Sequence, residues 1–116
     1  MAERLLELAG GGPDTITGYH VTQAAKEEDP AALECFKSIG KWLGQGMADL
    51  AAVLDPEVFV LAGGVSEAGE LLRAPAAKAF AETLTAKAFR PLPQIRLATL
   101  GNDAGIIGAA DLARAQ

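Results

Sequence analysis

The chain has 116 residues, one domain's worth or part of one, so a second independent core has no room. Half of the residues are hydrophobic, which excludes a disordered chain and lets a protein of this length bury roughly two thirds of its unfolded surface if it folds alone. Ten Lys and Arg against fifteen Asp and Glu give a net charge of −5 with the basic residues scattered, which argues against nucleic acid and anionic membrane as partners.

One cysteine, Cys35, and one histidine, His20, leave no internal disulfide and no Cys/His metal cage. No stretch approaches the ~20 apolar residues of a membrane span, and the opening MAERLLELAG lacks the basic-then-apolar order of a secretory signal. A cytoplasmic, metal-free chain is expected.

In chain order, residues 2–9 read as the end of a helix carrying Leu5, Leu6 and Leu8, stopped by Gly10-Gly11-Gly12-Pro13-Asp14. A loop continues to about Val21, and Thr22 is placed to cap a short helix over residues 23–28. Asp29-Pro30 closes that helix and opens the next, since Asp accepts orphan amide bonds and Pro is pre-set for the first helical position. Over residues 31–54, Leu33, Phe36, Gly40, Leu43, Met47, Leu50 and Leu54 recur at spacings of three and four, which predicts a long amphipathic helix. Gly40 and Gly44 each cost up to about 1 kcal/mol of helix propensity, and a close approach by another helix would compensate. Asp55-Pro56 ends the helix.

Residues 57–62, Glu-Val-Phe-Val-Leu-Ala, fit a parallel strand covered on both faces. Gly63-Gly64 terminates it, Ser66 is a candidate N-cap for a short turn through Leu72, and Pro75 is a candidate start for a helix reaching about Ala88. Residues 94–100 alternate, with Ile95, Leu97 and Thr99 on one face, and read as a strand nearer an edge. Gly101-Asn102-Asp103 opens a final helix of small residues with Ile106, Ile107 and Leu112. A strand–helix–strand crossover of this length implies right-handed parallel pairing. Two strands alone make a poor core, so partners from elsewhere are expected for the sheet.

Two turns can carry chemistry. Residues 60–66, Val-Leu-Ala-Gly-Gly-Val-Ser, place glycines at the carboxyl end of a buried strand, where backbone approaches a nucleotide closely and amides point at its oxygens. Residues 100–105, Leu-Gly-Asn-Asp-Ala-Gly, do the same after the next strand, and ligands of open α/β sheets bind on that side. Each also reads as an ordinary tight turn, the second with Asn102 or Asp103 capping the last helix. His20 and Tyr19 fall in a loop without a visible partner, Cys35 reads as a half-buried inert thiol, and Glu27-Glu28-Asp29 as a solvated, capping run.

The run from Trp42 to Pro56, followed by Val60-Leu61-Ala62-Gly63-Gly64-Val65-Ser66 and by Leu100-Gly101-Asn102-Asp103-Ala104-Gly105-Ile106-Ile107-Gly108-Ala109-Ala110, resembles the C-terminal part of bacterial glucokinases of the ROK sugar-kinase family. The likeness covers essentially the whole chain. It implies an α/β fold: the helix–strand–helix–strand–helix end of an actin-like, ribonuclease H-like ATPase lobe, helix-rich with a short parallel sheet. Residues 1–116 would be the partial C-terminal lobe, the amino-terminal lobe and the zinc motif being absent.

The resemblance further implies ATP with Mg2+ as donor and glucose as acceptor in a full-length enzyme, while the incomplete sheet and the apolar seam along Leu33–Leu54 lead to the expectation of a homodimer. The resemblance gives Gly63, Gly64, Val65, Ser66, Asn102 and Gly105 to the adenosine side of the nucleotide site. No catalytic residue and no metal ligand carries over. Asn102-Asp103 is distinct from the family's catalytic Asn-Asp pair, which belongs to the other lobe, so the isolated chain is expected to be inactive. Two other expectations stand beside this: the sugar-sensing domain of a ROK-type transcription repressor, and a non-catalytic dimerisation module.

Overall fold

The structure, a computed structural model, describes residues 2–115. In chain order it runs α1 (Glu3–Ala9), α2 (Gly18–Lys26), α3 (Pro30–Leu54), β1 (Val58–Leu61), α4 (Glu70–Thr83), β2 (Gln94–Leu97) and α5 (Ala104–Arg114). Four short 3-10 turns lie between these elements, two of them directly after the strands. The two strands pair in parallel, Val58 beside Gln94 and Leu61 beside Leu97, as the crossover predicts.

Gly10 in the left-handed conformation ends α1, its N–H returning to Leu6 and Glu7. The loop expected up to Val21 is shorter than the composition suggested. Helix α2 begins at Gly18, because the His20 Nδ1 accepts a hydrogen bond from the Thr17 N–H at 3.0 Å and closes the helix start. His20 therefore has a partner, and its ring also meets Tyr19 edge-on with centroids 6.1 Å apart. Asp29 caps α3 as expected, its carboxylate accepting from the Ala32 N–H at 2.9 Å, with Pro30 following.

The buried stripe of α3 is rotated from the leucine seam. Ala32, Phe36, Gly40, Gly44, Met47, Ala48 and Ala51 face inward, whereas Leu33, Leu50 and Leu54 are exposed. Small residues win the inner face because α4 comes too close for leucine. A β-carbon on Gly40 would lie 2.7 Å from the Pro75 Cβ, and one on Gly44 would lie 2.6 Å from the Ala76 carbonyl oxygen. Backbone thus packs on side chain and backbone, as the glycine spacing implied.

Pro75 lies inside α4 rather than at its start: the helix opens at Glu70 after Gly69, which has φ of 64°, and closes at Thr83, short of Ala88. The ring costs α4 one internal hydrogen bond and is accommodated against the bare Gly40 backbone. Phe80, fully buried on the same helix, meets Phe59 of β1 edge-on at 5.6 Å, joining helix pair to sheet. The core is completed by Phe36, Met47, Leu61, Leu72 and Leu84.

Strand β1 has its cover on one face only. Phe59 and Leu61 pack inward, while Val58 and Val60 are exposed. Helix α5 buries no residue, leaving Ile106 and Leu112 in solvent. Arg90 ties the far end together by donating to the Ala51 carbonyl at 3.0 Å and pairing with the Asp55 carboxylate.

Candidate nucleotide-binding turns

Both glycine turns leave the same end of the sheet, because β1 and β2 are parallel and in register up to Leu61 and Leu97. After β1, Gly63 takes φ of 94° and ψ of 177°, a region closed to residues with a β-carbon. Ser66 then fixes the turn: its buried Oγ donates to the Gly63 carbonyl at 2.6 Å, and its N–H donates to the same oxygen at 3.1 Å. Ser66 is a lock on the Gly64–Ala68 turn rather than the N-cap expected of it, since its hydroxyl donates to a carbonyl instead of accepting from helix amides.

After β2, Gly101 takes φ of 56°, its N–H bonded to the Ala98 carbonyl, and the Asp103 N–H bonds the Leu100 carbonyl at 3.1 Å. Neither Asn102 nor Asp103 caps α5 with its side chain. The capping role expected for this pair is therefore absent, and both side chains stay exposed.

The two turns interlock. A β-carbon on Gly64 would lie 3.7 Å from Asn102 Oδ1, and one on Gly101 would lie 3.4 Å from Glu67 Oε1. Each glycine faces a polar side chain from the other turn. Gly64, Val65 and Asn102 of the predicted set are thus on one exposed rim, Val65 half-open to solvent, with Gly105 just beyond and nothing within 4 Å of its α-carbon's open side.

Glu67 is the residue that sequence reasoning missed. Its position one turn after Gly64 was the available signal, but only the pairing of the strands brings it over Gly101. Neither turn contains a Lys or Arg, so its charge comes from Glu67 and Asp103 alone.

The other candidates do not join this rim. Cys35 is exposed on α3 rather than half-buried. His20 belongs to the start of α2. Among the described residues, no group of three or more His, Cys, Asp or Glu could hold a metal ion. The perturbed carboxylates also lie elsewhere. A hydrogen bond from Arg4 holds Glu27 below the ordinary carboxylate range, and one from Arg73 at 2.5 Å does the same to Glu70.

The profile of the ROK family matches residues 2–116. This chain belongs to the ROK family. It is 42% identical over 113 residues to a glucokinase of Streptomyces coelicolor, covering 97% of this chain and 36% of that protein. It is 35% identical to the N-acetylgalactosamine kinase AgaK of a Shewanella species, over 90% of this chain and 32% of that one. Its backbone superposes with a TM-score of 0.93, at 44% identity, on a ROK family glucokinase from Streptomyces griseus crystallised with glucose and AMPPNP, covering 99% of this chain and 37% of that one. The chain thus spans about a third of the length of these relatives. The helix-rich α/β architecture with two parallel strands is that of the ROK glucokinase.

Proposed function

We propose that this chain supplies the adenosine side of the donor site in an ATP-dependent glucokinase, which transfers the terminal phosphoryl group of ATP to the 6-hydroxyl of glucose. The carrying observation is the interlocked pair of glycine turns at one end of two parallel strands, in a chain that follows a nucleotide- and glucose-bound ROK glucokinase along nearly its whole length. Gly63, Gly64 and Val65 offer open backbone, Ser66 holds their shape from beneath, and Asn102 and Gly105 form the opposite wall. Their work is positioning, the larger part of phosphoryl-transfer catalysis together with neutralisation of phosphate charge.

Neutralisation has to come from other residues. Neither turn carries a cation, and among the described residues no group of three or more His, Cys, Asp or Glu could hold a metal ion. With one cysteine and one histidine the chain does not fit a cysteine-rich zinc site. The same proposal makes residues 1–116 a partial C-terminal lobe. The outer face of β1 and the unburied apolar side of α5 support it, being surfaces that further strands and helices of a lobe would cover. A homodimer is in keeping with Trp42, 70% exposed on α3, and light scattering at micromolar concentration tests it, a one-chain mass being the contrary result. No described helix is long and apolar enough to cross a membrane, and a cytoplasmic setting, where ATP is available, completes the reading.

The test is a two-dimensional amide spectrum of the chain titrated with MgATP. Saturable shifts confined to residues 63–66 and 102–105 are expected; dispersed peaks that ignore MgATP overturn the assignment. The chain alone is expected to leave glucose unphosphorylated. Glucose 6-phosphate formation that disappears on Gly64→Val would show that the reacting groups are present after all.

A further inference from the structure

We infer that Glu67 is the residue that reads the ribose of the bound nucleotide, accepting hydrogen bonds from its vicinal hydroxyls; the inference rests on the donor-site reading above. Glu67 stands on the Gly64–Ala68 turn and reaches across to the Gly101–Asp103 turn, its Oε1 3.4 Å from where a β-carbon of Gly101 would be. It spans the junction of the turns without being used up there. Among the described residues its carboxylate makes no hydrogen bond or ion pair, and the residue is exposed.

Charge decides which part of a nucleotide the junction takes. A carboxylate only accepts, so it repels phosphate oxygens and favours a donor. With no Lys or Arg in either turn, the junction suits the uncharged, hydroxyl-bearing part of the molecule and sends the triphosphate away from Glu67. The two oxygens of one carboxylate match the two hydroxyls of a cis-diol, the same chemistry by which an acidic residue recognises ribose in dinucleotide folds. Gly101 leaves the space for it. A side chain there would meet Glu67 and is further disfavoured by φ of 56°.

The experiment compares adenosine with 2′,3′-dideoxyadenosine on the 116-residue chain, read by amide shifts of residues 63–66 and 102–105. Uncharged nucleosides remove the phosphate contribution. Wild type is expected to bind adenosine about tenfold more tightly, roughly the worth of a charge-assisted hydrogen bond. Glu67→Ala is expected to bind both equally while the shifts of the remaining amides stay in place, which a merely structural role for Glu67 would not produce. Equal affinity of the two nucleosides for wild type, or a preference that survives Glu67→Ala, overturns the inference and leaves the donor site standing. Adenosine that moves none of these amides overturns the donor-site reading and this inference with it.

Discussion

Gly44 and Ala79 meet where there is no room for a second β-carbon: one placed on Gly44 would lie 2.6 Å from the Ala79 Cβ. The helix–helix seam is therefore closed by backbone, and the two glycines of α3 are its condition.

That relationship separates two substitutions of the same kind on one helix. Gly44→Ala gains about 1 kcal/mol of helix propensity but forces α3 from α4, and overpacking typically costs about 1–3 kcal/mol, so a net loss of up to about 2 kcal/mol is expected. Gly46→Ala, with nothing within 4 Å of the new methyl, should stabilise by up to about 1 kcal/mol. Urea unfolding monitored by Trp42 fluorescence checks both, and equal effects at the two positions would contradict the close seam.

Gly63→Ala should act on the site through the backbone. Nothing crowds the position, so the expected cost of about 1–3 kcal/mol comes from φ of 94° alone. The turn would relax to a conformation that no longer presents its amides, and MgATP-dependent shifts at residues 63–66 should vanish while the dispersion of the spectrum persists. Unchanged shifts would show that this conformation is not required for binding.

Arg90→Ala removes a charged donor from the Ala51 carbonyl in the last turn of α3 and should cost about 1–3 kcal/mol. Asp55→Asn should cost less than about 1 kcal/mol, because Asp55 is largely exposed and its ion pair with Arg90 is screened. Denaturation midpoints at low and high salt discriminate the two: the Asp55 effect should shrink with salt and the Arg90 effect should largely remain.

The Arg4–Glu27 pair, with Nε to Oε2 at 2.6 Å, links α1 to the end of α2 and predicts an acid-side pH dependence. Since the folded pKa of Glu27 is depressed by the Arg4 hydrogen bond, the pair's contribution is present above the unfolded glutamate pKa and is lost as pH falls through the folded one. A carboxyl NMR titration should place Glu27 below an ordinary glutamate, and Arg4→Ala should return it to the ordinary range. Both residues are exposed, so the accompanying stability change should be small.

Local signals in the sequence were enough for much of the fold. The Asp29-Pro30 start of α3, the Gly10 stop of α1 and the parallel strands around 58–61 and 94–97 follow from capping chemistry, turn chemistry and β-branched runs. The errors arose where tertiary contact overrode local preference. Pro75 looked like a helix start, yet the empty Gly40 surface lets it sit inside α4. Leu33, Leu50 and Leu54 suggested the inner face of α3, but α4 approaches so closely that alanine and glycine take it. His20 was unreadable as a helix-start residue because histidine is an uncommon partner for a threonine cap. At the site, the rim of Gly64, Val65 and Asn102 was legible from two glycine turns after strands. Glu67 was not, because its meaning depends on Gly101, far along the chain and brought near by strand pairing.

A seam built from bare backbone has no slack. Side chains can change rotamer to let two helices slide, whereas Gly40 and Gly44 meet Pro75, Ala76 and Ala79 through groups that cannot rearrange. Helices α3 and α4 therefore travel as one rigid body, and the Gly64–Ala68 turn, joined to α4 through Gly69, travels with them. Strand β2, paired with β1, and Arg90, bonded to the Ala51 carbonyl, are held to the same body, so any swing of it against α1 and α2 must be taken up at residues 27–29, where Glu28 already holds positive φ.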